Sequence, residues 1–356
     1  MWSIADEQIE KWNILNNTET ANELHNSNVL ITGATGLIGQ AIVKTLVYAN
    51  RNMGFGINII ALVRNLEKAD KLFGDCLDEL TVLNADINNV TSKDLGVIKN
   101  IDYVIHGASI TSSKAFIEQP VETILTGIQG TDNILQLARE TNVKSMVYLS
   151  SMEVYGTHKE RRNVSENDIG YLNPLVVRNS YPESKRLIEC LCCSYASEYN
   201  IPVKIVRLAQ TFGPGVEYDD GRVFMDFARC AIEDKDIILH TAGLSERMYL
   251  YVYDAVEAIF FALLKGETGH SYNAANKHTY CSILEMAELV KKIANESIDV
   301  RVLVDNTVGM KYLPTHYLYL DTSEIERLGW KPRVGLEEMY KRLISSFEDR
   351  DNDTKK

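Results

Sequence analysis

This 356-residue chain has no run of 18 apolar residues, so nothing in it reads as a transmembrane helix. It also lacks an excess of basic charge. Lys and Arg total 37 against 49 Asp and Glu, a net charge of -12. An acidic surface excludes a nucleic-acid partner, because a phosphate backbone needs a basic stripe. A nucleotide ligand is still allowed, since it needs only a local positive pocket. The opening residues, Met1 to Glu7, lack a signal-peptide pattern, which points to a cytoplasmic protein without membrane attachment. The six cysteines show no metal-ligand pattern: Cys190, Cys192 and Cys193 cluster with no histidine nearby. They read as small buried hydrophobes rather than metal ligands or disulfides, and no metal is expected. No internal repeat is visible. The chain is 45% apolar and 24% charged, the composition of a globular protein, and its length suits one large domain with a smaller lobe.

The segment Tyr181-Pro182-Glu183-Ser184-Lys185 is the most informative feature present. A tyrosine and a lysine four apart share one helix face. The ammonium favours phenolate over phenol, so the tyrosine is expected to titrate below its usual value of about 10. Upstream, Ser150-Ser151 closes the apolar strand Met146-Val147-Tyr148-Leu149 and offers a hydroxyl to the same substrate oxygen. These groups make a proton-transfer site for an alcohol/ketone couple. A second feature is Thr32-Gly33-Ala34-Thr35-Gly36-Leu37-Ile38-Gly39, between the apolar run Val29-Leu30-Ile31 and a helical pattern from Ala41 to Val47. Strand, glycine turn and helix in that order place a pyrophosphate on a helix N-terminus. Gly33 would permit the tight turn, Gly36 the approach of the phosphates and Gly39 the close packing of helix on sheet.

Further strands are read at residues 57–63, 81–83, 103–105, 145–149 and 203–208, and helices at about 120–141 and 181–199. Their alternation implies an α/β fold with a doubly wound parallel sheet. Residues 1–27 read as a helical extension, from the spacing of Ile4, Ile9, Trp12, Ile14 and Leu15, and residues 350–356 as a flexible polar tail.

Taken with Leu328-Gly329-Trp330-Lys331-Pro332, these motifs resemble the extended short-chain dehydrogenase/reductases of the nucleotide-sugar epimerase/dehydratase family, over about residues 28–345. The resemblance implies a Rossmann domain at 28–210 and a smaller C-terminal substrate-binding lobe, mainly 211–349 and interleaved with it. It implies that Gly33, Thr35, Gly36, Leu37, Ile38 and Gly39 hold a dinucleotide. Asp86 and Ile87 would meet the adenine, and Ala108 and Ser109 of the loop after His106 would pass beneath the pyrophosphate. His106 itself reads as a packed structural residue. Where many relatives carry an acid for the adenosine ribose, this chain has Arg64, which suits a 2′-phosphate or lies solvated at the surface; the cofactor is NADP or NAD, with NADP favoured.

On the catalytic side the resemblance implies Tyr181 as acid/base, Lys185 as its electrostatic partner and ribose ligand, and Ser151 as the group orienting the substrate oxygen. The family's 4,6-dehydratases carry Asp-Glu where this chain has Met152-Glu153, so the acid that protonates a departing hydroxyl is missing. Glu153 is a tentative catalytic base or a structural carboxylate. Thr111, Ser112 and Ser113 line the sugar or cap a helix, Gln210 replaces a frequent asparagine, and Arg247 would grip the diphosphate. A second arginine expected before Asp321 is absent, leaving Arg222, Lys311 or His316 to substitute. The implied activity is a nucleotide-diphosphate-sugar 4-epimerase working through a 4-keto intermediate. The alternatives are an NADPH-dependent 4-ketoreductase, a 4,6-dehydratase and a non-catalytic dinucleotide sensor. The two long helices resemble those that pair in family homodimers.

Overall fold

The apolar run after Ser27 forms β1 (Asn28–Thr32), buried near the middle of a seven-stranded parallel sheet in the computed structural model. The structure describes residues 21–95, 100–304 and 315–353, together with 10, 11, 14 and 16. The other sheet strands are β2 (Asn58–Val63), β3 (Leu80–Asn84), β4 (Tyr103–His106) and β5 (Ser145–Ser151). After the two-residue β6 (Asn163–Val164), which belongs elsewhere, comes β7 (Val203–Leu208). Then follow β8 (Gln210–Phe212), β9 (Ile237–Leu239), β10 (Glu246–Tyr251), β11 (Ser271–Ala274), β12 (Asn276–Ser282), β13 (Val300–Val302) and β14 (Tyr317–Leu320). The large sheet runs β3-β2-β1-β4-β5-β7-β11. The chain leaves β1 towards β2 and returns to its other side at β4, so a crevice opens beyond the carboxyl ends of β1 and β4.

The main helices are α1 (Leu37–Met53), α2 (Leu66–Phe73), α3 (Pro120–Thr141), α4 (Ser180–Tyr199), α5 (Val223–Ile232), α6 (Val252–Lys265), α7 (Ile283–Ile293) and α8 (Leu336–Asp353). Proline suits the first position of α3, where its missing N–H costs nothing, and Asn142 ends that helix at φ 50°. α6 is apolar on nearly every side and buried from Val252 to Leu263 against α1, β5 and β7. Among the described residues no helix is long and apolar enough to cross a membrane.

A second sheet, β12-β10-β14-β6 with β8 against β10, stands over the crevice. The two sheets are interwoven: β6 comes from before residue 203, and β11 crosses back to the edge of the large sheet beside β7. That edge strand, Ser-Tyr-Asn-Ala, is too short and too polar to have been read as a buried strand. The Leu328–Pro332 motif is an anchor. Trp330 is fully buried and its indole N–H donates to the Asp254 carbonyl at 3.0 Å. The Asp254 carboxylate accepts from the N–H groups of Arg333 and Val334, both at 3.0 Å.

Some expectations need correction. Of the clustered cysteines only Cys192 is buried; Cys190 and Cys193 lie on the outward face of α4. α8 continues to Asp353, into the polar tail, and residues 354–356 lie outside the described residues. Most of the N-terminal extension, including Ile4, Ile9, Trp12 and Leu15, lies outside the described residues; Ala21–Leu24 forms a 3-10 turn and Ile14 is buried.

Candidate active site

The turn after β1 is shaped by close approaches that exclude side chains. Gly33 has φ +69°, and a Cβ there would stand 2.8 Å from the Gly107 carbonyl carbon. A Cβ on Gly39 would stand 2.1 Å from the Gly33 oxygen. Gly36 is the N-cap of α1, and no side chain caps it. The first N–H groups of α1 therefore open onto the crevice without a side-chain acceptor, as an anion requires. The crevice is a cavity of about 1640 Å³, lined at this end by Thr35, Leu37 and Ile38 with the glycines.

The loop after β4 is held under the cavity by a buried relay. Thr32 Oγ1 accepts from the Ala108 N–H at 3.1 Å and so donates to His106 Nδ1 at 2.6 Å. His106 Nε2 lies 3.0 Å from Thr131 Oγ1, whose own hydroxyl donates to the Gly127 carbonyl, so Nε2 carries the proton. Burial lowers the imidazole to about 3 and keeps it neutral. Ala108 and Ser109 line the cavity as expected.

Ile87 lines the cavity but Asp86 does not. The Asp86 side chain is exposed, and its Oδ1 accepts from the Asn88 N–H at 2.9 Å in a turn. Arg64 is exposed at the end of β2 and lines the cavity with Asn65 and Lys68. Asn65 caps α2 by accepting from the Lys68 N–H at 2.9 Å.

At the far end stand Ser151, Tyr181 and Lys185. Ser151 terminates β5, and its hydroxyl accepts from the Glu153 N–H at 3.2 Å. Tyr181 and Lys185 are buried in the first turns of α4, at 7% and 3% exposure. The Lys185 ammonium donates to the Leu149 carbonyl at 2.8 Å and sits 5.6 Å from the Tyr181 ring centre. The expected fall in the tyrosine's pKa is absent. Burial pushes the phenol up, the Glu153 carboxylate pushes the same way, and the Ser151 hydrogen bond opposes them. The ammonium gives one of its three N–H donors to the carbonyl and is itself lowered to about 8 by burial.

Glu153 is held by Arg178, with Nη1 to Oε2 at 3.0 Å. The Arg178 guanidinium lies 5.2 Å from the Phe116 ring centre, and Phe116 stacks on Tyr181 at 4.3 Å and 9°. Neither Phe116 nor Arg178 was singled out from sequence. Arg178 stands three residues before Tyr181, but no spacing rule joins it to Glu153, which lies in the 3-10 turn Met152–Tyr155 after β5. Met152 is buried and, lacking a proton to give, cannot serve as an acid.

Thr111 and Ser113 face the cavity. Ser112 does not; it is exposed, and its carbonyl accepts the Phe116 N–H at 3.2 Å as the chain enters the short helix Ala115–Glu118. No hydroxyl caps that helix, whose N-cap is Lys114. Gln210 and Arg247 are brought together by the pairing of β8 with β10, with Nη1 3.5 Å from Oε1. Arg247 Nη2 lies 3.4 Å from His316 Nε2. Its buried Nε has no hydrogen-bond partner, and no carboxylate among the described residues pairs with it. Arg222, by contrast, is paired with Asp220. Arg222 and His316 both line the cavity, while Lys311 lies outside the described residues.

Comparison with known proteins agrees with this geometry. A family model described as the NAD dependent epimerase/dehydratase family matches residues 29–275. UDP-glucuronic acid decarboxylase 6 of Arabidopsis thaliana is 30% identical over 322 residues, covering 88% of this chain and 86% of that protein. dTDP-D-glucose 4,6-dehydratase of Mus musculus is 28% identical over 90% of this chain and 88% of its own length. UDP-glucuronic acid 4-epimerase of Bacillus cereus, solved with UDP-glucuronic acid and NAD, superposes with a TM-score of 0.75. It is 22% identical and covers 91% of this chain and 99% of its own, a likeness of fold.

Proposed function

We propose that this chain, which belongs to the NAD-dependent epimerase/dehydratase family, oxidises C4 of a nucleotide-diphosphate sugar to a ketone and reduces it again, as a 4-epimerase. The observation that carries this reading is the meeting of Ser151, Tyr181 and Lys185 on one wall of a cavity whose other end is an uncapped helix start. A dinucleotide bound along the crevice supplies the hydride acceptor and donor, with its pyrophosphate on the N–H groups of α1. Arg64 stands on the cavity wall where β2 ends, a position that suits a 2′-phosphate and so favours NADP; Lys68 beside it is paired with Glu217 at 2.5 Å.

Tyr181 takes the proton of the C4 hydroxyl in one direction and returns it in the other, with Ser151 hydrogen-bonded to the same oxygen. Burial favours the phenol, the form that donates to the ketone. The oxidative direction needs the nearby ammonium of Lys185, whose two remaining N–H donors are available to ribose hydroxyls. Arg247, with no carboxylate partner among the described residues, would hold the diphosphate together with His316. Glu153, bound to Arg178, is an anion kept in place rather than a free base, and Met152 offers no acid, so dehydration is disfavoured.

A second reading is decarboxylation. Two observations favour it: relatives are named UDP-glucuronic acid decarboxylases, and the Arg178 guanidinium near Tyr181, which now holds Glu153, would have to exchange or share that partner with a C6 carboxylate. A ketone at C4 makes that group a β-keto carboxylate, which loses carbon dioxide without a further base.

The test is a panel of nucleotide sugars and nucleotide uronic acids with NAD+ or NADP+, read by NMR and mass. An epimer of unchanged mass supports the first reading, a product lighter by carbon dioxide the second. Net consumption of NADPH would mark a ketoreductase. Replacing Tyr181 with Phe should lower turnover by about 10²- to 10⁴-fold; near-normal turnover would reject the assignment. The exposed Val121, Leu125 and Leu187 on the outer faces of α3 and α4 support a homodimer through those helices.

A further inference from the structure

We propose that the buried Glu189–Arg207 pair is the positioning device that sets the register of Ser151, Tyr181 and Lys185 and holds Lys185 protonated. This rests on the catalytic reading above. Two consecutive residues near the end of β5, just before Ser151, are each tied to α4. The Leu149 carbonyl accepts from Lys185 Nζ at 2.8 Å, and the Ser150 hydroxyl donates to Glu189 Oε1 at 2.6 Å. The Ser150 tie carries no reacting group, and it is the one that Arg207 locks.

Arg207 stands on β7 directly beside Ser150. Its Nε and Nη2 donate to the two Glu189 oxygens at 3.0 and 2.7 Å, a fork that fixes orientation as well as distance. Its Nη1 donates to the Tyr155 hydroxyl at 2.9 Å and to the Glu166 carbonyl at 2.7 Å. Tyr155 closes the turn that carries Glu153, and its hydroxyl donates to Asn273 Oδ1 on β11 at 2.5 Å. Asn273 Nδ2 in turn donates to the Asp321 carbonyl at 2.9 Å, just past β14. One guanidinium thus joins the catalytic strand, the catalytic helix and the sheet above the cavity. Arg207 and Glu189 are 6% and 8% exposed. A buried pair of this kind is weak as a source of stability but strong in specifying one arrangement.

Glu189 also lies one helical turn beyond Lys185. The groups facing Lys185 are the Tyr148 ring at 4.6 Å, the Tyr181 ring at 5.6 Å, the neutral His106, the Cys192 thiol and Glu189. Among them Glu189 alone is anionic, and its charge opposes the effect of burial on the ammonium.

The test uses Glu189→Gln, which keeps shape and removes charge, and the double variant Glu189→Leu/Arg207→Met, which replaces the pair by apolar groups. The first readout needs no activity: the Lys185 Nζ resonance in lysine-labelled protein, identified by its loss in Lys185→Met. It should titrate near 8 in the parent and about one unit lower in Glu189→Gln. The second is the pH profile of turnover, whose alkaline limb should move down by the same amount with KM within about threefold. The folded double variant should lose about 10²-fold in turnover while binding dinucleotide normally. An unmoved Lys185 titration, or unchanged turnover and pH profile in both variants, overturns the inference. A moved titration with an active Tyr181→Phe would instead sink the catalytic reading and leave the electrostatic link standing.

Discussion

Gly39→Ala tests the contact between helix and turn from which the cofactor reading follows. The added methyl would stand 2.1 Å from the Gly33 oxygen and 2.8 Å from Ala34 Cα. Both are backbone atoms, and the Gly33 oxygen also accepts the Gly36 N–H at 2.9 Å, so no rotamer change relieves the clash. The start of α1 must retreat by about 1 Å to reach ordinary contact. Overpacking of this kind costs up to about 3 kcal/mol, offset by about 1 kcal/mol from replacing glycine in a helix. The net loss of about 2 kcal/mol should lower the melting temperature by about 3 °C. The larger effect falls on dinucleotide affinity, since a 1 Å displacement of binding groups can cost about 10²-fold. At a nucleotide concentration about 100 times the parent Kd, ligand stabilises the parent by about 2.7 kcal/mol, and a 50-fold weaker variant by about 0.7 kcal/mol. Thermal melts with and without NAD(P)H, alongside calorimetric Kd values, measure both terms. Gly335→Ala is the neutral control, because its methyl would meet nothing within 4 Å. Parent-like affinity in a Gly39→Ala protein would refute the claim that α1 must approach the turn this closely to bind nucleotide.

Arg64→Glu should reverse the cofactor preference, weakening NADP+ by at least about tenfold while NAD+ is held or improved; equal loss of both would show that Arg64 does not meet the 2′-phosphate. Lys204 is buried with its ammonium on the Ser145 hydroxyl at 2.7 Å, and burial lowers it to about 8. Its folded value lies below the unfolded one, so its cost is complete below pH 8 and is relieved as pH rises towards about 10. Lys204→Met should therefore raise the melting temperature by about 2 °C at pH 7 and by less at pH 10; a destabilised variant at pH 7 would contradict this. Leu125→Glu, at a position 56% exposed on α3, should convert a dimer to monomer in sedimentation without altering dinucleotide binding.

Much of the fold was legible because local chemistry and burial agree. The strand–turn–helix from Asn28 to Met53 carries its own steric signature in three glycines, and α3 and α4 begin and end within a residue or so of their sequence limits. β11 escaped notice because a four-residue edge strand is defined by its partner, β7, rather than by its own pattern. Asp86 and Ser112 are exposed and do not line the cavity; the Asp86 carboxylate accepts the Asn88 N–H, and the Ser112 carbonyl accepts the Phe116 N–H. The Glu153–Arg178 pair could not be anticipated, because its members lie on separate elements.

Residue order was enough to specify which groups could move a proton and which turn could take a phosphate, since those capacities reside in short spacings along a strand or helix. The protonation state was not contained in those spacings. A lysine four residues from a tyrosine implied a lowered phenol pKa, yet burial raises it, because desolvation, the Leu149 carbonyl and the Glu153 carboxylate are imposed by packed neighbours distant in the chain. Short-range geometry is encoded locally, whereas the dielectric surroundings and counter-charges of a buried site arise only when remote segments pack together.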